Sequence, residues 1–466
     1  MKFINREKEL SELNNLYLLS KNRLISVVIY GPRRIGKTRL VQEFSKDKNH
    51  LYFFIYDGKS LNLLLQDFEN ILKEKKIIDN FRKLQSIEEF IEILFNYCEN
   101  YVIIFDEVQY MNNIYKAFFS YMQKKIDENK NKKIMFIFLG SLIGLIKNVF
   151  EDLKSPLYGR INQELKLKSL AFKDTIKFFE NKNQKKEEIV KFFSIFGGYP
   201  KYYIALEDYD LLEKDFFEVI EFLFLRENAP LQNEVINILR QEFGKTKSYY
   251  FDILSAISQG KTKLNEISSY LRKHQTEITD FMNDLLNYYE IIEREIPITD
   301  NKNTRNSVYK IKSNIIKFWF RFIYPYISYI EQNNYSYIIN NIKNNINSFF
   351  GFGFEEISRQ KIINEKYYDL VGRWWHKDKE IDIIGISEEK NEILFAECKW
   401  QNSLVDIDVY YELKEKSKFV NYKLEDRKNK KINEKFALFS KSGFNKKMKE
   451  LAKKENVLLY DINDII

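Results

Sequence analysis

Short apolar runs alternate with amphipathic stretches in the first third of the chain. Four of these runs are rich in β-branched and aromatic residues and read "LISVVIYG", "LYFFIYD", "YVIIFDE" and "KIMFIFLGS". Continuous apolar runs of this length are typical of strands buried on both faces, and helical patterns between them are typical of parallel sheets. The pattern predicts an α/β fold with a parallel sheet over residues 1–164.

The periodicity then changes three times. Apolar residues at helical spacing predict a helical lid over residues 165–242. Residues 243–325 are predicted to form three helices and a two-stranded ribbon around "TDNKNTRN", the element order of a winged helix. A polar, Asn-rich junction covers 326–348, and residues 349–466 offer a helix followed by "EIDIIGIS", "EILFAECKW" and "KFALFS". This last segment is predicted to be a second α/β domain.

Length and composition narrow the class of protein. A chain of 466 residues fits about three domains of roughly 150 residues each. No apolar run approaches the roughly 20 residues of a membrane span, and the charged start of the chain does not resemble a signal peptide. We therefore expect a cytoplasmic protein with no membrane partner. Few cysteines and histidines argue against disulfides and zinc, so any metal should be held by oxygen; they are Cys98, Cys398, His50, His274 and His376.

The formal net charge of +8 is compatible with a nucleic-acid partner. It does not require one, because Lys, Asn, Ile, Tyr and Phe are abundant throughout the chain. We attribute most of the lysine excess to that general bias.

A phosphate-binding motif stands between a predicted strand and a predicted helix, in "VVIYGPRRIGKTRL". Two glycines allow a tight loop whose backbone N–H groups approach phosphate oxygens. Lys37 is expected to reach the β- and γ-phosphates, and the Thr38 hydroxyl to coordinate Mg²⁺. The sequence thus predicts ATP and Mg²⁺ as cofactors, bound by Gly31, Pro32, Arg33, Arg34, Ile35, Gly36, Lys37, Thr38 and Arg39.

Two acids follow the apolar run of "YVIIFDEVQ". Asp106 at the carboxyl end of the strand is expected to hold Mg²⁺, and Glu107 to polarise an attacking water. Ser141 ends the next apolar run, where it could contact the γ-phosphate or simply cap the strand end.

A series of short segments resembles the archaeal-type ATPases, a branch of the P-loop NTPases close to the AAA+ and STAND classes. The segments are "FINREKEL", "GPRRIGKT", "FDEVQ", "LGSLIG", "SPLYGR" and "GGYPKYY". The resemblance implies that Asn5, Arg6 and Glu7 lie near the nucleotide base, and that Gly198 and Pro200 touch the nucleotide. It also implies a γ-phosphate sensor at Arg160, acting in cis or from a neighbouring subunit of a homo-oligomer; a surface salt bridge is the alternative.

The charged residues of the predicted winged helix argue both for and against contact with DNA. Residues 276–288 would face the groove, but Glu277, Asp280 and Asp284 weaken base readout there. Contact with DNA phosphates is easier to support, and a module that only packs against protein is the alternative. The basic residues available are Lys261, Lys263, Arg272, Lys273, His274, Lys302 and Arg305.

A carboxylate-lysine pattern occupies the last domain. Strand alternation puts Glu397 and Lys399 on one face, and a turn at "SEEKNE" brings Asp382 beside them. Asp382 and Glu397 can share a Mg²⁺ ion that binds a scissile phosphate, and Lys399 can position the nucleophile or stabilise negative charge. Glu355 on the preceding helix could complete the metal shell.

This pattern resembles the PD-(D/E)xK restriction-endonuclease-like fold, and its pairing with an archaeal ATPase and a winged helix fits that family. The Pro-Asp dipeptide is replaced by Ile381-Asp382, and Trp374 and Trp375 are interpreted as packing residues. An inert, salt-bridged strand edge in a degenerate nuclease is the alternative.

Three functions follow from these predictions. The first is an ATPase coupled to DNA binding and metal-dependent cleavage of nucleic acid, with Glu107, Arg160, Glu355, Asp382, Glu397 and Lys399 as its catalytic residues. The second is a STAND-type switch set by ATP or ADP, and the third a mobile-element helper; both would carry an inactive nuclease-like domain.

Overall fold

The computed structural model describes residues 3–244, 248–301, 303–421 and 432–466. The chain divides into two compact units. The first comprises residues 1–169, 199–201 and 287–289, and the second comprises residues 170–198, 202–286 and 290–466. The predicted lid, winged helix, junction and nuclease-like domain fall largely in the second unit, and their separate boundaries stay predictions.

The first unit is built on a five-stranded sheet in which every neighbouring pair is parallel. Its strand order is β2-β3-β4-β1-β5. The strands are β1 (Ile25–Tyr30), β2 (His50–Phe54), β3 (Val102–Asp106), β4 (Met135–Gly140) and β5 (Gln163–Lys166). The helices are α1 (Glu7–Ser20), α2 (Lys37–Ser45), α3 (Leu61–Glu74), α4 (Ile87–Tyr97), α5 (Met111–Ile114), α6 (Phe118–Glu128) and α7 (Ile143–Phe150). The predicted parallel sheet is confirmed.

Both faces of this sheet are covered. Phe136 and Phe138 of β4 pack with Phe105 in one core, whereas Met135 and Ile137 join a second core on the opposite face. All six residues of β4 are buried as a result. This double burial explains why the strand is continuously apolar rather than alternating.

Helices dominate the first part of the second unit. They are α8 (Phe172–Thr175), α9 (Lys186–Phe196), α10 (Pro200–Asp208), α11 (Phe216–Ile220), α12 (Glu234–Phe243), α13 (Ser248–Ser258), α14 (Leu264–Leu271), α15 (Gln275–Asn283), α16 (Asn314–Phe322), α17 (Ile327–Glu331) and α18 (Tyr335–Asn345). An antiparallel ribbon of β6 (Ile292–Glu295) and β7 (Val308–Ile311) follows α15. Three helices and a ribbon therefore occur in the predicted order, with a π-helical turn over Asp284–Tyr288.

A mixed sheet forms the rest of the second unit, in the order β12-β11-β10-β9-β8. Its strands are β8 (Leu370–His376), β9 (Lys379–Ser387), β10 (Glu392–Lys399), β11 (Asn433–Ser440) and β12 (Leu458–Asp461). The helices of this region are α19 (Asn347–Asn364), α20 (Ile407–Ser417), α21 (Lys446–Glu455) and α22 (Ile462–Ile465). Strand β10 runs antiparallel to β9 and parallel to β11.

Candidate functional site

The phosphate loop depends on backbone conformations that favour glycine. Gly31 has φ +154° and Gly36 has φ +93°. A Cβ atom at Gly31 would lie 2.6 Å from the carbonyl oxygen of Leu167, so a side chain does not fit there. Gly36 directly precedes helix α2, whose first turn has no side-chain cap. The first N–H groups of a helix point outward along its axis, and such helix starts commonly bind anions.

The lysine of the motif is folded onto its own loop. The Lys37 ammonium donates hydrogen bonds to the carbonyl oxygens of Gly31 at 2.8 Å and Pro32 at 2.9 Å. Ile35 is buried in the core beneath the loop, whereas Arg34 and Arg39 are exposed. The loop thus holds its cation at the position where phosphate charge is expected.

Thr38 and Asp106, the two predicted magnesium ligands, are in direct contact. The Thr38 hydroxyl donates to Oδ2 of Asp106 at 2.7 Å. The hydroxyl of Tyr52 donates to the same oxygen at 2.6 Å. Burial raises the pKa of Asp106, while these two hydrogen bonds act in the opposite direction. Sequence reasoning missed Tyr52, which projects from the neighbouring strand β2.

Glu107 is surrounded by donors. Its Oε1 accepts a hydrogen bond from the Ser141 hydroxyl at 2.6 Å and lies 3.8 Å from the Arg33 guanidinium. Its Oε2 accepts from the backbone N–H of Ser141 at 3.3 Å and from the side-chain amide of Gln109. Gln109 was also missed, although it stands within "FDEVQ". In this conformation the carboxylate is engaged on both oxygens.

Three further residues predicted for the nucleotide site are Asn5, Arg6 and Pro200. Asn5 and Arg6 adopt left-handed conformations, with φ 60° and 77°. Arg6 donates to the carbonyl of Lys168 at 2.7 Å and lies 3.5 Å from that of Ile35, so it is beside the phosphate loop. Pro200 begins α10, and residues 199–201 group with the first unit.

Arg160 forms an ion pair with Asp127 on α6, with N–O distances of 2.9 Å. Both side chains are about one-third exposed. This is the surface salt bridge expected as the alternative role. The γ-phosphate sensor role of Arg160 stays a prediction.

The carboxylates predicted in the last domain meet at one end of β9 and β10. Ile383 pairs with Ala396 across these strands, which places Asp382 next to Glu397. Asp382 Oδ2 accepts a hydrogen bond from the backbone N–H of Cys398 at 2.8 Å. The Lys399 ammonium donates to Oε1 of Glu397 at 2.9 Å.

A second lysine, Lys416 of α20, was not predicted. Its ammonium contacts both oxygens of Glu397, at 3.0 and 3.2 Å. Glu355 of α19 is close enough to affect Asp382 electrostatically and lies 3.9 Å from the guanidinium of Arg373. Motif spacing did not indicate Lys416 or Arg373, because each reaches the cluster from an element outside the motif.

Burial, together with the crowding of negative charge, determines the electrostatics of this cluster. Burial, reinforced by Glu355 and Glu397, raises the pKa of Asp382 well above its usual range. Burial also raises the pKa of Glu355, against the opposing influence of Arg373. Burial acts to lower the pKa of Lys399, but Glu397 and Asp382 outweigh it and raise the value.

The donor set suits a hard divalent cation. Within the described ranges, no group of three or more His, Cys, Asp and Glu side chains is placed to hold a metal ion. Mg²⁺ is commonly bound by only one or two carboxylates, with water and substrate phosphate completing its shell. Asp382 and Glu397 are such a pair, and their buried carboxylates would be relieved by a cation.

The ribbon lies against strand β8. The side chains of Asn306 and Trp375 are joined by a hydrogen bond of 3.0 Å from Nε1 to Oδ1, and the Asn306 amide donates to the Trp375 carbonyl at 3.2 Å. Ile298 donates its backbone N–H to the carbonyl of Arg373 at 2.9 Å. The Arg373 guanidinium is also 3.4 Å from Glu295 on β6. Trp374, in contrast, is a core residue, as predicted.

Most of the basic residues predicted to contact DNA are exposed. Lys273 pairs with the exposed acid Glu277 at 3.3 Å, so part of the local positive charge is neutralised. Lys302 lies outside the described residues. The exposed basic side chains are Lys261, Lys263, Arg272, Lys273, His274 and Arg305.

The fold and the nucleotide site define a P-loop ATPase. A family described as "ATPase domain predominantly from Archaea" matches residues 3–206. A second family, "Archaea bacterial proteins of unknown function", matches residues 319–433. The chain carries both regions, and it belongs to the same family as an archaeal protein that matches it along nearly the whole length.

One curated relative matches along nearly the whole length. An uncharacterized protein of Methanocaldococcus jannaschii is 34% identical over 431 residues, which cover 90% of this chain and 92% of that protein. An uncharacterized ATP-binding protein of the same archaeon is 32% identical over 25% of this chain and 40% of its own length.

Two solved structures share the fold at lower identity. The Walker-type ATPase of Pyrococcus abyssi has a TM-score of 0.51 and 20% identity, covering 68% of this chain and 96% of that one. The ORC2 protein of Aeropyrum pernix, in ADPNP-ADP complexes, has a TM-score of 0.50 and 14% identity, covering 72% and 96%. Among the helices described for this chain, none has the length and apolar character needed to cross a bilayer.

Proposed function

We propose that this ATPase couples ATP binding and hydrolysis to DNA binding and to metal-dependent cleavage of nucleic acid. The observation that carries the proposal is the meeting of Asp382, Glu397 and Lys399 at one end of β9 and β10. A buried strand end with two carboxylates and a lysine is costly unless the charges serve a ligand or pair well.

The nucleotide half rests on the contact between Thr38 and Asp106. These two residues would hold Mg²⁺ beside the β- and γ-phosphates, where the cation would neutralise developing charge. Lys37 exchanges its two loop carbonyls for phosphate oxygens, and Glu107 orients the attacking water after it leaves Ser141. Arg6 and Pro200 are proposed to contact the nucleotide. The ADPNP-ADP complexes of the Aeropyrum pernix protein support binding of an adenine nucleotide at this fold.

Cleavage is assigned to the second unit. A Mg²⁺ ion bound there would lower the pKa of a water molecule and bind the scissile phosphate. Asp382 and Glu397 supply its carboxylate oxygens, and Glu355 keeps further negative charge beside Asp382. Lys399, held beside Glu397, positions the nucleophile or stabilises negative charge that develops on the phosphate.

Binding of DNA is assigned to the exposed basic residues of α14, α15 and the ribbon. Phosphate contacts suit them better than base contacts, because Glu277 and Asp280 are exposed on the helix that would face the groove. Such contacts would be weakened by salt and would carry little sequence information.

A STAND-type switch is the second candidate function, and a mobile-element helper is the third. The engagement of Glu107 by Ser141 and Gln109 favours a switch, because a glutamate held in this way is not free to activate water. Under that alternative the pairing of Glu397 with two lysines is an inert salt bridge.

A cleavage assay separates these functions. Supercoiled plasmid and single-stranded DNA are incubated with Mg²⁺ or Mn²⁺, with and without ATP, using the intact protein, Lys399→Ala and Lys37→Ala. Loss of nicking in Lys399→Ala, with ATPase activity retained, supports the nuclease. If the intact protein does not nick DNA under any condition, the cleavage proposal is rejected and the switch becomes the favoured function.

A further inference from the structure

Lys416 forms an ion pair with Glu397, the carboxylate that a metal ion would need as a ligand. Its ammonium lies 3.0 Å from Oε1 and 3.2 Å from Oε2 of Glu397, whereas Lys399 contacts Oε1 at 2.9 Å. Glu397 is 6% exposed, and the two lysine side chains are 24% and 29% exposed. Both lysines therefore reach a buried carboxylate from the solvent side.

Glu397 already has two cationic partners, Lys399 and Lys416. A divalent cation bound at Glu397 would bring further positive charge beside these two ammonium groups and leave a local excess of positive charge. A phosphate group of the nucleic acid is negatively charged and would neutralise this excess.

The position of Lys416 on its helix allows it to move. It is the penultimate residue of α20, and a lysine side chain is a flexible four-carbon stem that carries a point charge. Its neighbours on the helix have other partners, since Lys414 pairs with Glu455 and Lys418 with Glu415. Lys416 alone of these three lysines is directed at Glu397.

We infer that Lys416 is a placeholder cation: it neutralises Glu397 until a divalent cation binds, and then turns to the phosphate group of the nucleic acid. This inference rests on the proposed nuclease function. It distinguishes the two lysines, because Lys399 stays on the strand next to the reacting phosphate while Lys416 exchanges one partner for another.

The test measures the binding of Mn²⁺ to the intact protein by calorimetry and by the electron paramagnetic resonance of free Mn²⁺. Comparison with Asp382→Asn identifies the ions that are bound at this site. Lys416→Met removes the competing ammonium and is expected to bind Mn²⁺ about fivefold more tightly. A change of this size corresponds to the free energy of a partly buried ion pair. At saturating Mn²⁺ the same variant is expected to nick DNA at least about 10-fold more slowly, because a phosphate contact is lost.

Controls keep this result specific. Lys416→Arg should restore nicking, because the guanidinium also binds phosphate, and Lys414→Met should match the wild type in both measurements. Lys416→Gln provides a second neutral variant, and thermal unfolding verifies that each protein is folded. Unchanged or weaker Mn²⁺ binding by folded Lys416→Met or Lys416→Gln overturns the placeholder role, as does unchanged nicking at saturating metal.

Failure of the underlying function gives a different result. If the wild type neither nicks DNA nor binds more Mn²⁺ than Asp382→Asn, the nuclease proposal is rejected and the role of Lys416 falls with it. If the wild type does both and Lys416→Met binds Mn²⁺ no more tightly, only the placeholder role is rejected.

Discussion

The Thr38 hydroxyl donates a 2.7 Å hydrogen bond to Oδ2 of Asp106, joining the phosphate loop to the carboxyl end of β3. The two groups predicted to hold Mg²⁺ therefore lie side by side. A ligand set that is already assembled does not have to be ordered when the ligand arrives.

Replacing this hydroxyl should remove a metal ligand without disturbing the fold. Thr38→Val keeps the shape of the side chain, and we expect ATP hydrolysis to fall at least about 100-fold through loss of transition-state charge stabilisation. Steady-state phosphate release measures the effect, with Thr38→Ser as the control that keeps the hydroxyl. Wild-type turnover by Thr38→Val would show that Thr38 is not a magnesium ligand.

Tyr52 is predicted to affect Mg²⁺ binding at the same site through its hydrogen bond to Asp106. Tyr52→Phe removes a 2.6 Å hydrogen bond to Asp106 that acts to lower the pKa of this carboxyl. Without it Asp106 should bind Mg²⁺ about 10-fold more weakly, the usual size of a lost outer-shell contact. A Mg²⁺ titration of ATPase activity measures this shift. Identical titration curves for the two proteins would contradict the role given to Tyr52.

Two glycine substitutions should have opposite effects on stability. Gly31→Ala places a Cβ atom 2.6 Å from the Leu167 carbonyl oxygen at φ +154°, and should destabilise the first unit by about 1–3 kcal/mol and abolish nucleotide binding. Gly351→Ala lies within helix α19 with no atom within 4 Å of its Cβ, and should stabilise by about 0.5–1 kcal/mol. Urea unfolding compares them, and equal effects would refute the steric argument at Gly31.

The lowered pKa of Lys317 predicts that the free energy of unfolding depends on pH. Burial lowers its pKa to about 8, and Lys310 and Arg321 contribute in the same direction. Because the unfolded lysine titrates near 10.4, the unfolded state binds more protons between about pH 8 and 10.4, and this residue makes stability rise with pH across that window.

Lys317→Met should therefore raise the free energy of unfolding at pH 7 and flatten the rise above pH 8. Methionine can keep the packing against Phe349 and Phe352, whose rings lie 5.4 and 4.3 Å from the ammonium. Denaturant unfolding from pH 7 to 10 gives the profile, with Lys446→Met, a 91% exposed lysine, as the control. A profile for Lys317→Met that parallels the wild type would rule out this source of pH dependence.

The sequence predicted the strands that carry an apolar run and missed two edge strands that do not. Strands β1 and β4 are wholly buried and therefore apolar without interruption. Strand β5, "QELK", pairs only with β1 at the edge of the sheet, and three of its four residues are not buried. Strand β8 is likewise an edge strand, with one buried residue. Unlike the edge strand β2, whose sequence is apolar, β5 and β8 have few buried residues, so periodicity alone does not find them.

The same limit applies to the two sites. Motif spacing identified Lys37 and Glu397, each of which has a contact partner a few residues away along the chain, and Asp106 was identified because it ends an apolar run. Tyr52 and Lys416 reach their carboxylates from separate elements, 54 and 19 residues away. Such contacts depend on how elements pack, which a single sequence does not specify.

Nicking of supercoiled plasmid by Lys399→Ala, beside the wild type in Mn²⁺ and ATP, tests the central claim most directly. We expect the wild type to convert the plasmid to the open-circular form and Lys399→Ala to do so at least about 100-fold more slowly, with the ATPase rates of the two proteins equal. Equal nicking rates would place any cleavage elsewhere in the chain, and no nicking by the wild type would contradict the nuclease itself.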